Sequence, residues 1–146
     1  MTYKDYTFSD LDVDLSRNSI TGDITLKKDL QSIRQSITNI LLTRPKERFF
    51  SSSGIGVGLQ DLIFELKDYD GVILSSIKER VKSNINKFEP RVRFREFTVV
   101  DDEYNSLGDS SVIVEILYDV ISFGNNSNIT ETSNIADGVR LTIGNE

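Results

Sequence analysis

The hydrophobic period changes once along this chain, and it changes at a proline. Up to Phe88 the apolar residues recur at helical spacing, and beyond Pro90 they alternate. Helix-period and strand-period segments bury their apolar faces differently, so the chain must combine helices upstream with sheet downstream. Leu30, Ile33, Ile37, Ile40 and Leu41 predict an amphipathic helix from about Lys27 to Leu42, which Thr43-Arg44-Pro45 stops. Ile73, Leu74, Ile77, Val81, Ile85 and Phe88 predict a long helix, with Asp70 as N-cap and its end at Glu89-Pro90. Between them a short helix is expected at about 59–65, presenting Leu59, Leu62, Ile63 and Phe64.

Downstream, Val92, Phe94, Phe97 and Val99 form a strand-like run, and residues 112–120 are the most β-prone stretch of the chain. Residues 101–109, with Gly108, read as a hairpin-type connection between them. Val139-Arg140-Leu141-Thr142-Ile143 alternates cleanly and reads as a third strand, added within the monomer or on assembly. The expected fold class is α+β: two main helices plus a short helix packed on a small antiparallel C-terminal sheet. One domain is expected over 1–146, without internal repeats. Residues 1–25 read as an extended arm, in which Val13 and Leu15 alternate with Asp12 and Asp14 as in an edge strand, and Thr21-Gly22-Asp23 is a turn. Residues 122–146 read as a polar tail, rich in Asn, Ser and Thr, that carries the last strand.

Composition narrows the chemistry. The 146 residues include no cysteine and no histidine, which removes thiolate and imidazole nucleophiles, bases and metal ligands together. No metal site and no cofactor are expected. Tryptophan is also absent, weakening any sugar-stacking site. No apolar run approaches the ~20 residues of a membrane span, and no basic-apolar leader pattern opens the chain. Net charge is −3 over residues 1–24, +5 over 25–98 and −8 over 99–146. The basic middle lacks the Lys/Arg density and interleaved aromatics of a nucleic-acid surface. A mixed-charge surface that keeps the monomer soluble is the better reading; the sharper alternative is that opposite ends meet different partners, each of complementary charge.

Carboxylates, hydroxyls, Lys and Arg remain. Two positioned carboxylates suffice for a glycoside hydrolase, and Glu47, Glu65 and Glu89 lie at loops or element ends. With 23 acidic residues, however, some suggestive placement is guaranteed, and surface or ion-paired carboxylates are the better reading. Gly54, Gly56 and Gly58 precede a helix, but Leu59-Gln60 stands where a phosphate loop needs Lys-Ser/Thr, so a tight turn with close packing is expected. Arg91, Arg93 and Arg95 are expected on one strand face, a patch suited to acidic partners. At Glu89-Pro90-Arg91 the proline fixes the exit angle from helix to strand, while Glu and Arg project nearby; on composition alone a structural ion pair is the better reading of this corner.

Five segments then occur in order: Thr21-Gly22-Asp23; Ile33 to Thr43; Pro45-Lys46-Glu47-Arg48-Phe49; Gly56 to Glu65; and Glu89-Pro90-Arg91. Together, over about residues 5–121, they resemble the baseplate wedge and sheath-initiator family of contractile phage tails, long labelled lysozyme-like and found also in type VI secretion baseplates. Lys46 stands where the family's turn has glycine, and Ser53 where proline often precedes the glycine turn. The resemblance implies a structural protein without catalytic residues, built into the virion's tail baseplate after assembly in the host cytoplasm. It implies docking on the wedge core through Glu89, Pro90 and Arg91, and a six-fold arrangement. Its implied partners are wedge proteins, the tail sheath protein and tube- or hub-proximal baseplate proteins, with no nucleic acid or membrane. The first sheath ring is expected to add strands to the 112–120 segment, whose alternating Val112, Val114, Ile116, Tyr118 and Val120 set the side-chain pattern. Arg91 is expected to be dispensable for folding. The alternative is a peptidoglycan hydrolase using a Glu pair.

Overall fold

The computed structural model describes residues 8–48, 54–62, 71–100, 111–121 and 134–144. Strand β1 (Ser9–Leu11) pairs antiparallel with β2 (Leu26–Lys28), and helix α1 (Leu30–Leu42) follows. A 3₁₀ turn (Leu59–Leu62) precedes helix α2 (Gly71–Phe88). Strands β3 (Val92–Val100), β4 (Ser111–Ile121) and β5 (Asn134–Gly144) form an antiparallel sheet in the order β3-β4-β5. The chain is thus a mixed helix-and-sheet fold, with two helices and antiparallel sheets among the described residues.

One core joins both periodicities. Ile33, Ile37 and Leu41 of α1 and Ile77, Val81 and Ile85 of α2 cluster with Val92 and Phe97 of β3 and Val139 of β5. The even-numbered β4 residues Val112, Val114, Ile116, Tyr118 and Val120 complete that cluster, all of them buried. Each helix therefore contributes its i, i+4 stripe and each strand its alternate residues, as burial of a single face requires.

Several boundaries differ from the sequence expectation. Residues 26–28 are strand rather than helix, because Asp29 takes φ 47° and interrupts the helical path one residue before Leu30. The arm's first strand is Ser9–Leu11, whereas Val13 and Leu15 lie in a bend where Leu15 has φ 50°. The expected turn at Thr21-Gly22-Asp23 is present, with Gly22 at φ 71° and its N–H donating to the Asn18 carbonyl. The short helix is a 3₁₀ turn over Leu59–Leu62; residues 63–65, the Asp70 cap, the 101–109 connection and residues 122–133 lie outside the described residues.

The glycine segment packs as expected. The Val57 and Gly58 N–H groups donate to the Ile40 and Thr43 carbonyls at the end of α1, and Gly56 N–H donates to Asn84 Oδ1 of α2. Gly56 has φ 114°, and a Cβ there would drive into the Thr43 carbonyl oxygen. At the preceding turn Lys46 itself adopts φ 68°, the left-handed conformation that a glycine takes without cost.

Candidate functional site at the helix-to-strand corner

Three residues turn the chain from α2 into β3, and backbone bonds fix the two that flank Pro90. Glu89 N–H closes the last turn of α2 on the Ile85 carbonyl, and Val92 N–H donates to the Glu89 carbonyl. The Arg91 carbonyl accepts from Ile121 N–H at the far end of β4. Pro90 stands exposed at the apex.

The side chains of this corner turn inward. Glu89 is only 1 % exposed. Arg91 Nε and Nη2 each donate at 2.6 Å, to Glu89 Oε1 and Oε2 respectively, a bidentate pair that uses both carboxylate oxygens. Arg91 Nη1 reaches Ser32 Oγ of α1 at 3.2 Å, and Ser36 also hydrogen-bonds the Glu89 carboxylate. The Arg91 guanidinium lies over the Phe8 ring at 5.2 Å, and Phe8 donates its N–H to Asp29 Oδ1 while its carbonyl accepts the Asp29 N–H. Burial pushes the Glu89 carboxyl up, but Arg91 and Ser36 outweigh it and hold its pKa below the ordinary carboxylate value. The same pairing raises the pKa of Arg91.

Arg91 is therefore part of the fold as well as of the corner, which corrects the expectation that it is dispensable for folding. Its removal would leave a buried, uncompensated carboxylate. The part of the corner that faces solvent is Pro90, with Arg91 partly exposed beside it.

The arginine patch is also changed. β3 carries a bulge between Phe94 and Glu96, and Arg95 is the extra residue. Arg95 Nε sits 2.6 Å from Oδ2 of the buried Asp119, so this guanidinium is paired within the chain, as Arg91 is. Arg93 is exposed and opposite Asp119 in the register. The expected cluster of three cations is thus largely neutralised internally.

The strand expected to offer an open edge is the middle one. β4 pairs along β3 on one side and along all eleven residues of β5 on the other. Val112, Val114, Ile116, Tyr118 and Val120 are core side chains on a strand with both backbone edges occupied, which corrects their assignment to an edge. Among the described residues, the outer edges of the sheet belong to β3 and β5.

The two candidate hydrolase carboxylates among the described residues are each engaged in local contacts. Glu47 is exposed and accepts the Arg44 N–H at 2.7 Å as part of its own turn. Glu89 is buried against Arg91, and Glu65 lies outside the described residues. Among the described residues, no group of acidic side chains is arranged to hold a metal ion.

The chain belongs to the baseplate wedge protein gp25 family, whose pattern matches residues 27–123. Members are structural components of the baseplate, and a structural baseplate role follows for this chain. It is similar in fold to a chain of the six-fold symmetrised anti-feeding prophage baseplate. That match has a TM-score of 0.56 and 19% identity, covering 93% of this chain and 84% of the other. It is also similar to a Geobacter sulfurreducens protein provisionally named a tail lysozyme, with a TM-score of 0.54 and 21% identity over 78% of this chain and 88% of that one. At these identities the likeness is one of fold. Among curated proteins none matches significantly.

Proposed function

We propose that this chain is a non-enzymatic subunit of a contractile tail baseplate that docks on the wedge core at the 89–91 corner and starts the sheath by strand addition. The observation that carries this reading is the β5 edge. β5 runs eleven residues in unbroken register with β4, whereas β3 is bulged and lined by Arg93, Arg95 and Glu96, features that blunt an edge. A flat, bulge-free edge is the better template, because backbone bonds along it set the register of an added strand. The sheath protein is the partner assigned to that edge, with wedge and tube-proximal proteins meeting other surfaces. The working location is the tail baseplate of the virion, six copies around its axis, after assembly in the host cytoplasm.

The corner supports docking by being rigid. Its ion pair, its bond to Ser32 and its backbone tie to Ile121 hold Pro90 at a fixed angle, so a partner meets a preformed surface. A general acid, by contrast, needs a raised pKa and access to substrate, and Glu89 has neither.

The test is assembly without this subunit. Baseplates built from the cognate components minus this chain should fail to start sheath, and adding back the purified protein should restore it. Normal sheath on baseplates that lack the chain, or peptidoglycan cleavage by the purified protein, would overturn the reading.

A further inference from the structure

The hairpin that precedes α1 lies before the residues matched by the family except for Lys27 and Lys28, and it is ordered by its own hydrogen bonds. Asp12 N–H donates to the Thr25 carbonyl and Thr25 N–H to the Ser16 carbonyl, and Arg17 bridges Ile24. Gln35 of α1 clasps its first strand, donating to the Leu11 carbonyl at 2.7 Å and accepting the Val13 N–H at 3.3 Å. At the tip, Asn18 Oδ1 accepts the Ile20 N–H at 2.9 Å and Gly22 closes the turn, so Ile20 is held out, 92 % exposed.

Between residues 9 and 28 every apolar side chain is exposed: Leu11, Val13, Leu15, Ile20, Ile24 and Leu26. Leu11 and Leu26 are cross-strand partners, and Ile24 shares their side by alternation. A hairpin that sends none of its apolar residues into the body, while keeping a defined tip, carries an apolar surface for something else.

Charge indicates what that is. Asp10, Asp14 and Asp23 are exposed on the same hairpin; of its three cations, Lys27 is occupied by Asp12 at 3.1 Å, Lys28 is engaged within the chain, and Arg17 is the third. We infer that this hairpin is a docking arm whose apolar side chains, led by Ile20, enter a cleft rimmed by Lys and Arg on a different protein of the same assembly. A second copy of this chain is the poorer fit. Its groove between α2 and β3 offers Phe94 with Lys78, Lys82 and Arg95, but Lys82 is paired with Glu79 and Arg95 with Asp119, so the rim is largely neutralised. An anionic membrane surface would repel the hairpin's exposed carboxylates.

The inference rests on the chain being built into a baseplate, and the experiment separates the two. A photo-crosslinking residue is placed at Ile20 in the full chain, with the same residue at Ser83 on the exposed side of α2 as control. Both are assembled with the cognate baseplate components, irradiated, and the adducts mapped. Ile20 adducts should fall on another baseplate polypeptide, in an apolar cleft bordered by Lys or Arg, well above the Ser83 yield. Ile20→Asp should leave the melting curve of the isolated chain unchanged and lower incorporation about tenfold at limiting concentration. The triple Asp10→Asn, Asp14→Asn, Asp23→Asn variant keeps the local hydrogen bonds and should associate more slowly, with a weaker salt dependence. Adducts only to this chain or to lipid, an Ile20 yield no higher than Ser83, or undiminished incorporation of Ile20→Asp would overturn the arm while leaving the baseplate role intact. Absence of the unsubstituted chain from baseplates would overturn both.

Discussion

Glu89 and Arg91 face each other across Pro90 with two 2.6 Å hydrogen bonds, and the carboxylate of that pair is sealed from solvent. The pair holds together the end of α2, the start of β3 and, through Ser32 and Ser36, one face of α1. Removing one partner and removing both should have different consequences. Arg91→Ala strands a buried charge and should cost about 3–5 kcal/mol in urea unfolding, whereas Glu89→Leu with Arg91→Met should cost far less. Equal losses for single and double variants would mean that the pair does not brace the corner. The double variant then tests docking, because it keeps the fold while removing the guanidinium that borders Pro90.

The same pair sets an acid limit on stability. Folding holds the Glu89 pKa below the ordinary carboxylate value, so the unfolded chain takes up this proton first as pH falls. The stabilisation is complete above that ordinary value and is lost progressively as pH drops through the lower folded value. Melting temperature measured from pH 6 down to pH 3 should therefore fall less steeply in Glu89→Gln than in the unsubstituted protein. Parallel curves would contradict the assignment.

Gly56 and Gly54 both have positive φ but differ in their surroundings. Among the described residues nothing lies within 4 Å of a Cβ at Gly54, so Gly54→Ala should meet conformational strain alone, about 1–2 kcal/mol. At Gly56 the added methyl also collides with the Thr43 carbonyl, and Gly56→Ala should lose clearly more. Denaturant midpoints for the two variants decide this, and a reversed order would contradict the packing of the 54–58 segment on α1.

Lys46 occupies left-handed backbone at φ 68° on an exposed turn. Lys46→Gly relieves that conformation and should stabilise by about 0.5–1 kcal/mol, net of the extra freedom glycine brings to the unfolded chain. A destabilised variant would indicate that the lysine side chain holds the turn.

Much of this fold is legible in the order of residues, because periodicity reports which face is buried. The stripe from Ile33 to Leu41, the stripe from Ile77 to Ile85 and the alternation after Pro90 each locate an element in the core. Strand order is a different kind of information. Nothing in residues 112–120 tells a central strand from an edge, since both show a buried alternate face. β4 is central because β5 pairs with it inside the chain, from Asn134 to Gly144, and the alternation at 139–143 does not tell such pairing from a strand added on assembly. The start of α1 was hidden for a local reason: Lys27 and Lys28 suit a helix, and only the backbone of Asp29 and pairing with Ser9–Leu11 make residues 26–28 a strand. At the candidate site, Glu89-Pro90-Arg91 is visible as a corner, but a buried bidentate pair and two projecting charges have the same sequence. The bulge that turns Arg95 onto Asp119 likewise leaves no trace in the period-2 pattern.

The most direct measurement concerns the outer edge of β5. Alternate β5 residues direct their N–H either toward β4 or away from it, so proline substitutions across 138–141 divide into two sets. The set that removes donors to β4 should unfold the sheet. The set that removes only outward donors should keep the melting curve and wedge incorporation, while sheath polymerisation from those baseplates, counted by electron microscopy, fails to start. Normal sheath nucleation on a folded, incorporated, edge-blocked protein would contradict strand addition at β5.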